Sequence, residues 1–131
     1  MMHTSEIIEY RLKTAEEDRL TADATFAAAR YVHTLFLCHL MIEKLLKAAV
    51  VKYTETPAPL EHNLANLAEK ARLPLSQEQL DLVNEINTFN IRARYDDYKL
   101  AFFKKADKAY TEKYYTAATQ LYIWLKQEIT R

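Results

Sequence analysis

The stretch Tyr31-Val-His-Thr-Leu-Phe-Leu-Cys-His-Leu-Met-Ile-Glu-Lys-Leu-Leu-Lys-Ala-Ala-Val-Val-Lys52 decides the fold class. Tyr31, Leu35, Cys38, Ile42, Leu45 and Ala49 recur at helical spacing, and Val32, Phe36, Leu46 and Val50 widen that stripe. A helix apolar around most of its girth must be covered on several sides, so this one is expected in the middle of a bundle.

The flanking segments supply the cover. From Ser5 to about Ala28, the residues Ile8, Leu12, Ala15, Ala22 and Phe26 form a second stripe, interrupted by Arg19. Thr4 or Ser5 is placed to cap it, and Glu6 and Glu9 suit the positive end of its dipole. The break near Ala27–Arg30 carries neither Gly nor Pro, but one helix through it would far exceed ordinary lengths. Downstream, Thr54-Glu-Thr-Pro-Ala-Pro59 reads as an extended linker. A short helix follows over Asn63–Ala71, with Leu64, Leu67 and Ala71 inward. Beyond Pro74, Ser76-Gln-Glu-Gln79 is a capping box opening a helix that carries Leu80, Val83 and Ile86 to about Phe89. Residues 90–98 read as a turn, and Leu100-Ala-Phe-Phe-Lys-Lys105 is too short to assign. The last helix, starting at Asp107 or Thr111, carries Tyr110, Tyr114, Ala117, Leu121 and Trp124 on one face. The expectation is an all-α fold, an up-and-down helical bundle of four long helices plus one short helix, as a single domain over residues 1–131.

Composition agrees. The 131 residues include no Gly and three Pro, half are hydrophobic and 27% are charged, which suits a globular helical chain rather than a β-rich or disordered one. Net charge is zero, so no global field draws the chain to nucleic acid or to a membrane. The distribution is uneven: residues 1–29 carry a net −3 and residues 99–131 a net +4. Two oppositely charged helices attracting one another, or a basic C-terminal surface for phosphate or an acidic partner, both fit that asymmetry. Cys38 is the only cysteine, and no Cys/His cluster has zinc-ligand spacing, so neither a disulfide nor a metal or other cofactor is expected. Met1-Met2-His3-Thr4 leads straight into a charged helix and no long apolar span exists, so a cytoplasmic protein with no membrane contact is expected.

Several side chains have the chemistry of a site. His39 and Glu43 stand four apart beside Lys44 and Lys47, a spacing that suits a shared metal, an acid–base pair or a partly buried histidine satisfied by its neighbour. No second Glu-x-x-His pair completes a di-metal site. His62 reads as a cap or loop anchor ahead of catalysis. Tyr110, Tyr114, Tyr115, Tyr122 and Trp124 suit a core, with some left for a dimer surface. In Asn90-Ile-Arg-Ala-Arg-Tyr-Asp-Asp-Tyr98, two guanidinium groups, two carboxylates and two phenols crowd into seven residues. Arg forks bind phosphate and tyrosine rings stack on bases. The alternative is that Arg92 or Arg94 pairs with Asp96 or Asp97, or bonds carbonyls at the helix end.

The order of these features resembles the HEPN domain family (higher eukaryotes and prokaryotes nucleotide-binding). The resemblance runs from about Glu9 to Glu128 through Ala15-Glu-Glu-Asp18, His39-Leu-Met-Ile-Glu-Lys-Leu-Leu-Lys47, His62-Asn-Leu64 and Asn90-Ile-Arg-Ala-Arg-Tyr95. It implies a small helical bundle, commonly a homodimer, often encoded beside a minimal nucleotidyltransferase with which it forms toxin–antitoxin or related complexes. Ribonuclease members carry an Arg and a His with four to six residues between them, and paired motifs across the dimer form the cleavage site. Here the corresponding positions hold Asp97, Tyr98 and Lys99 after Arg92, and Lys99, Leu100 and Ala101 after Arg94. Without an imidazole there, general acid–base cleavage loses its carrier. The sequence thus points to a non-catalytic binder of nucleotide or RNA and of a nucleotidyltransferase partner. Its candidate contacts are Arg92, Arg94, Tyr95, Asp97, Tyr98, Lys44 and Lys47. A ribonuclease using Arg94 with Tyr98, His39 or His62, and a ligand-free homodimeric scaffold, are the alternatives.

Overall fold

The computed structural model describes residues 3–131; the Met1-Met2 start lies outside the described residues. These form an all-α fold of six helices: α1 (Thr4–Ala27), α2 (Tyr31–Thr54), α3 (Leu64–Lys70), α4 (Gln77–Arg94), α5 (Asp96–Lys105) and α6 (Lys108–Thr130). The apolar helix is central as its girth required: α2 packs against α1, α3, α4 and α6. Leu35, Met41, Ile42, Leu45 and Leu46 are completely buried, and Phe89 of α4 and Leu125 of α6 meet them in one continuous core. Among the described residues, no helix is long and apolar enough to cross a membrane.

Helix ends follow local chemistry. Ser76 and Gln79 close the capping box reciprocally, and Asp107 rather than Thr111 starts α6 by accepting from the Tyr110 amide. α1 departs from expectation, since His3 rather than Thr4 or Ser5 occupies the cap. The glycine-free chain still bends backwards at Ala29, Glu55 and Arg72, each with φ near +55°. At Ala29 the Arg30 amide donates to the Thr25 carbonyl (2.8 Å) and the Ala29 amide to Phe26 (3.0 Å), the paired bonds of a Schellman motif. A Cβ in that conformation costs roughly 1–2 kcal/mol. Ala29→Gly is therefore expected to stabilise the protein by about 1 kcal/mol, net of the extra freedom of the unfolded chain. A thermal midpoint equal to or below wild type would show that the corner is not strained.

The opposed charges of the first and last segments meet mostly through tyrosine hydroxyls. Tyr122 of α6 donates to Glu16 of α1 at 2.6 Å, and Tyr115 donates to Asp23. Glu16 is also gripped by Arg19 at 2.6 Å, and the two bonds hold its carboxyl down to about 2. Tyr122 is buried and Tyr110, Tyr114, Tyr115 and Trp124 pack against the core, so the aromatic face of α6 is an interior one.

The largest difference from the sequence expectation lies at residues 90–105. α4 continues past Phe89 to Arg94, only Tyr95 leaves helical geometry (φ −99°, ψ 132°), and α5 begins at Asp96. No Gly or Pro lies in this stretch to stop the helix, and Asp96 and Asp97 favour a new N-terminus, where carboxylates meet the dipole. The bundle therefore has a sixth, ten-residue helix beyond the four long and one short expected.

Candidate functional site

The middle of α2 carries a polar strip through an otherwise apolar helix: His39, Glu43 and Lys47, each one turn from the next. All three are buried, with His39 only 1% exposed. Ions buried at this depth need partners. Glu43 is the hub. Lys47 Nζ lies 3.3 Å from its Oε2, His39 Nδ1 3.8 Å from Oε1, and His62 Nδ1 3.2 Å from both oxygens. His62 arrives from the loop before α3, and that loop is pinned. Asn63 caps α3 by accepting from the Asn66 amide, Glu61 accepts from the Asn63 amide, and Asn87 of α4 accepts from the Leu64 amide at 2.9 Å. The His62 side chain remains 67% exposed, so a buried carboxylate holds the Nδ1 edge of a ring that is otherwise largely open to water.

His39 is the unsatisfied member. The spacing suggests a partly buried ring satisfied by a neighbour; instead, among the described residues, neither ring nitrogen has a hydrogen-bond partner. Burial lowers its pKa, and the nearby charges of His62 and Arg94 act in the same direction. Glu43 and the His62 backbone carbonyl oppose them, but neither closes a well-formed bond to the ring, so burial prevails and His39 stays neutral near pH 7. Cys38 beside it is fully buried, and burial pushes its thiol up to about 12, which makes it an inert packing residue.

The basic and aromatic segment lies on the α4–α5 junction. Arg92 folds back two turns to Glu85 (3.6 Å), which also accepts from the Tyr110 hydroxyl at 3.1 Å. Arg94 is exposed, and among the described residues its only hydrogen bond is a long one, 3.3 Å, to the Asn90 side chain. The expected alternative, pairing with Asp96 or Asp97, does not occur: Asp96 pairs with Lys99 instead. Tyr95 and Tyr98 are about half exposed, and Asp97 sits in the first turn of α5. Lys44 turns to α1 and holds Asp18 at 2.7 Å, while Lys47 belongs to the Glu43 hub. Among the described residues, no three His, Cys, Asp or Glu side chains are placed to hold a metal ion.

Residues 8–128 of the 131 match the HEPN domain. The chain belongs to the HEPN family. No curated protein and no solved structure matches it significantly. In this HEPN chain the charge of Arg94, on α4, adds to the burial that lowers the pKa of His39 on α2. The reading from sequence weighed Glu43 with His39, and His62 as a loop anchor, but did not join Glu43 to His62. Glu43 and His62 are nineteen residues apart, and only the polar strip on a central helix signalled that something polar had to meet it.

Proposed function

We propose that this HEPN protein is non-catalytic and binds nucleotide or RNA through Arg94, Tyr95 and Tyr98. A minimal nucleotidyltransferase is its proposed partner in a toxin–antitoxin-like module, with a homodimer as the proposed assembly. One observation carries the binding claim: Arg94 is exposed with no carboxylate partner among the described residues, and half-exposed Tyr95 and Tyr98 follow it in the chain. That pairing of cation and aromatic ring suits a phosphate bearing a base. Arg92, Lys44 and Lys47 each already hold a carboxylate and take a supporting role. Calorimetry with ATP and with a short RNA tests the claim. Arg94→Ala is expected to weaken whichever ligand binds by about tenfold or more, the loss of a charge-assisted bond. No heat with either ligand would overturn it. Co-purification with a nucleotidyltransferase encoded beside it tests the partner separately.

The second reading, a ribonuclease, rests on the imidazole of His62. Its carboxylate-oriented, solvent-facing ring is the arrangement a general base requires, whereas buried His39 has no access to substrate. Cleavage of total RNA that disappears in His62→Ala would select this reading over the first.

A further inference from the structure

Beside the Arg92–Tyr98 segment, a groove of about 340 Å³ opens between the start of α2 and α5. Its position links it to the proposed ligand contacts: Ala93 immediately precedes Arg94, Lys99 immediately follows Tyr98, and both line it. Ala93 and Ala106 are small, and their short side chains leave the groove its depth. Tyr31 and Phe103 contribute rings from opposite elements. Phe103 is 71% exposed although it is a large apolar side chain on a helix otherwise seated by Phe102.

Charge separates this groove from the others. Its rim holds Arg30, His33 and Lys99, and no carboxylate lines it. Lys99 does pair with Asp96 at 3.4 Å, but both are exposed, and a pair of that kind holds its cation only weakly. A larger opening of about 670 Å³ beneath the proline linker sets Glu61 and Glu69 against Lys70 and Arg72, which leaves it no preference for an anion. Small-ligand sites are mostly apolar pockets of roughly 300–1,000 Å³ with a few placed polar groups. A groove at the lower end of that range, lined by two aromatic residues and by the cations Arg30 and Lys99, fits one planar base with its phosphates rather than a run of several bases.

We propose that this groove is the base slot for a mononucleotide, with Tyr31 and Phe103 against the base and Arg30, His33 and Lys99 at the phosphates. The assignment rests on the reading that the protein binds nucleotide, and it specifies where and in what form. The ligand lies between the start of α2 and α5, and Arg94, which does not itself line the groove, is the exposed cation next in the chain to Ala93.

The test is calorimetric titration of the full chain with ATP, with inorganic triphosphate and with a short RNA. Phe103 is largely exposed, so Phe103→Ala is expected to fold normally. It should weaken ATP by about 5- to 100-fold, the worth of one base–aromatic stack, and leave triphosphate unchanged. Phe103→Tyr should retain ATP affinity. If Phe103→Ala binds ATP as wild type does while Arg94→Ala does not, the slot is overturned and the nucleotide-binding reading stands. RNA binding without ATP binding has the same consequence. If wild type takes up neither ATP nor RNA, both fall together.

Discussion

Glu43→Ala is expected to lower the unfolding free energy by about 3–5 kcal/mol, read as a fall in urea midpoint at unchanged slope. The size follows from what the carboxylate holds. Lys47 is 9% exposed and its ammonium faces Glu43 at 3.3 Å; without that partner it is a buried charge with no compensation. His62 loses both of its contacts to α2 at the same time, and the loop before α3 loses its tie to the central helix. Total stability of a domain is only about 5–15 kcal/mol, so this single substitution removes a large share. A paired substitution separates the cause from simple loss of packing. Glu43→Leu with Lys47→Leu removes both charges and should fall far less, because replacing a whole buried pair by apolar groups is often neutral. A single-variant loss below about 1 kcal/mol would show that the hub is wet and uncoupled.

That hub also shows what the sequence made legible and what it did not. Within one helix, spacing sufficed: the stripe from Tyr31 to Ala49 placed α2 in the core, Ser76 and Gln79 marked the start of α4, and the prolines marked the linker. His39, Glu43 and Lys47 were visible as neighbours for the same reason. Their meeting with His62 was not, because it depends on how the linker after Thr54 carries the chain back along α2, which no local pattern encodes. The α4–α5 junction failed differently. A dense run of charge read as a turn, but side chains such as Arg92 reach back along their own helix to Glu85, and charge alone does not end a helix that lacks Gly or Pro. Only Tyr95 leaves the helical region, and a one-residue break is finer than periodicity resolves.

Phe102→Ala is expected to detach α5 while the rest of the bundle stays folded. α5 packs chiefly against α4, and its one deeply buried large side chain is Phe102. That ring lies 5.7 Å from Phe89, which in turn meets Tyr114 edge-on at 5.7 Å, so a single aromatic chain seats α5 on α4 and α6. Truncating such a ring removes about 3–5 kcal/mol of packing. A ten-residue helix has little stability of its own, since isolated helices shorter than about 12–15 residues are marginal in water. The lost packing therefore exceeds what α5 can hold, and the cheaper response is local opening rather than global unfolding. Amide exchange should report it directly: α5 amides approach unfolded rates while α2 amides keep their protection. With the base slot as proposed, ATP affinity should fall with it, because Lys99 and Phe103 ride on α5 and leave the groove when it opens. Uniform loss of protection along α2 and α5 would instead make α5 part of the cooperative core, held by the global stability of the bundle rather than by the Phe102 contact alone.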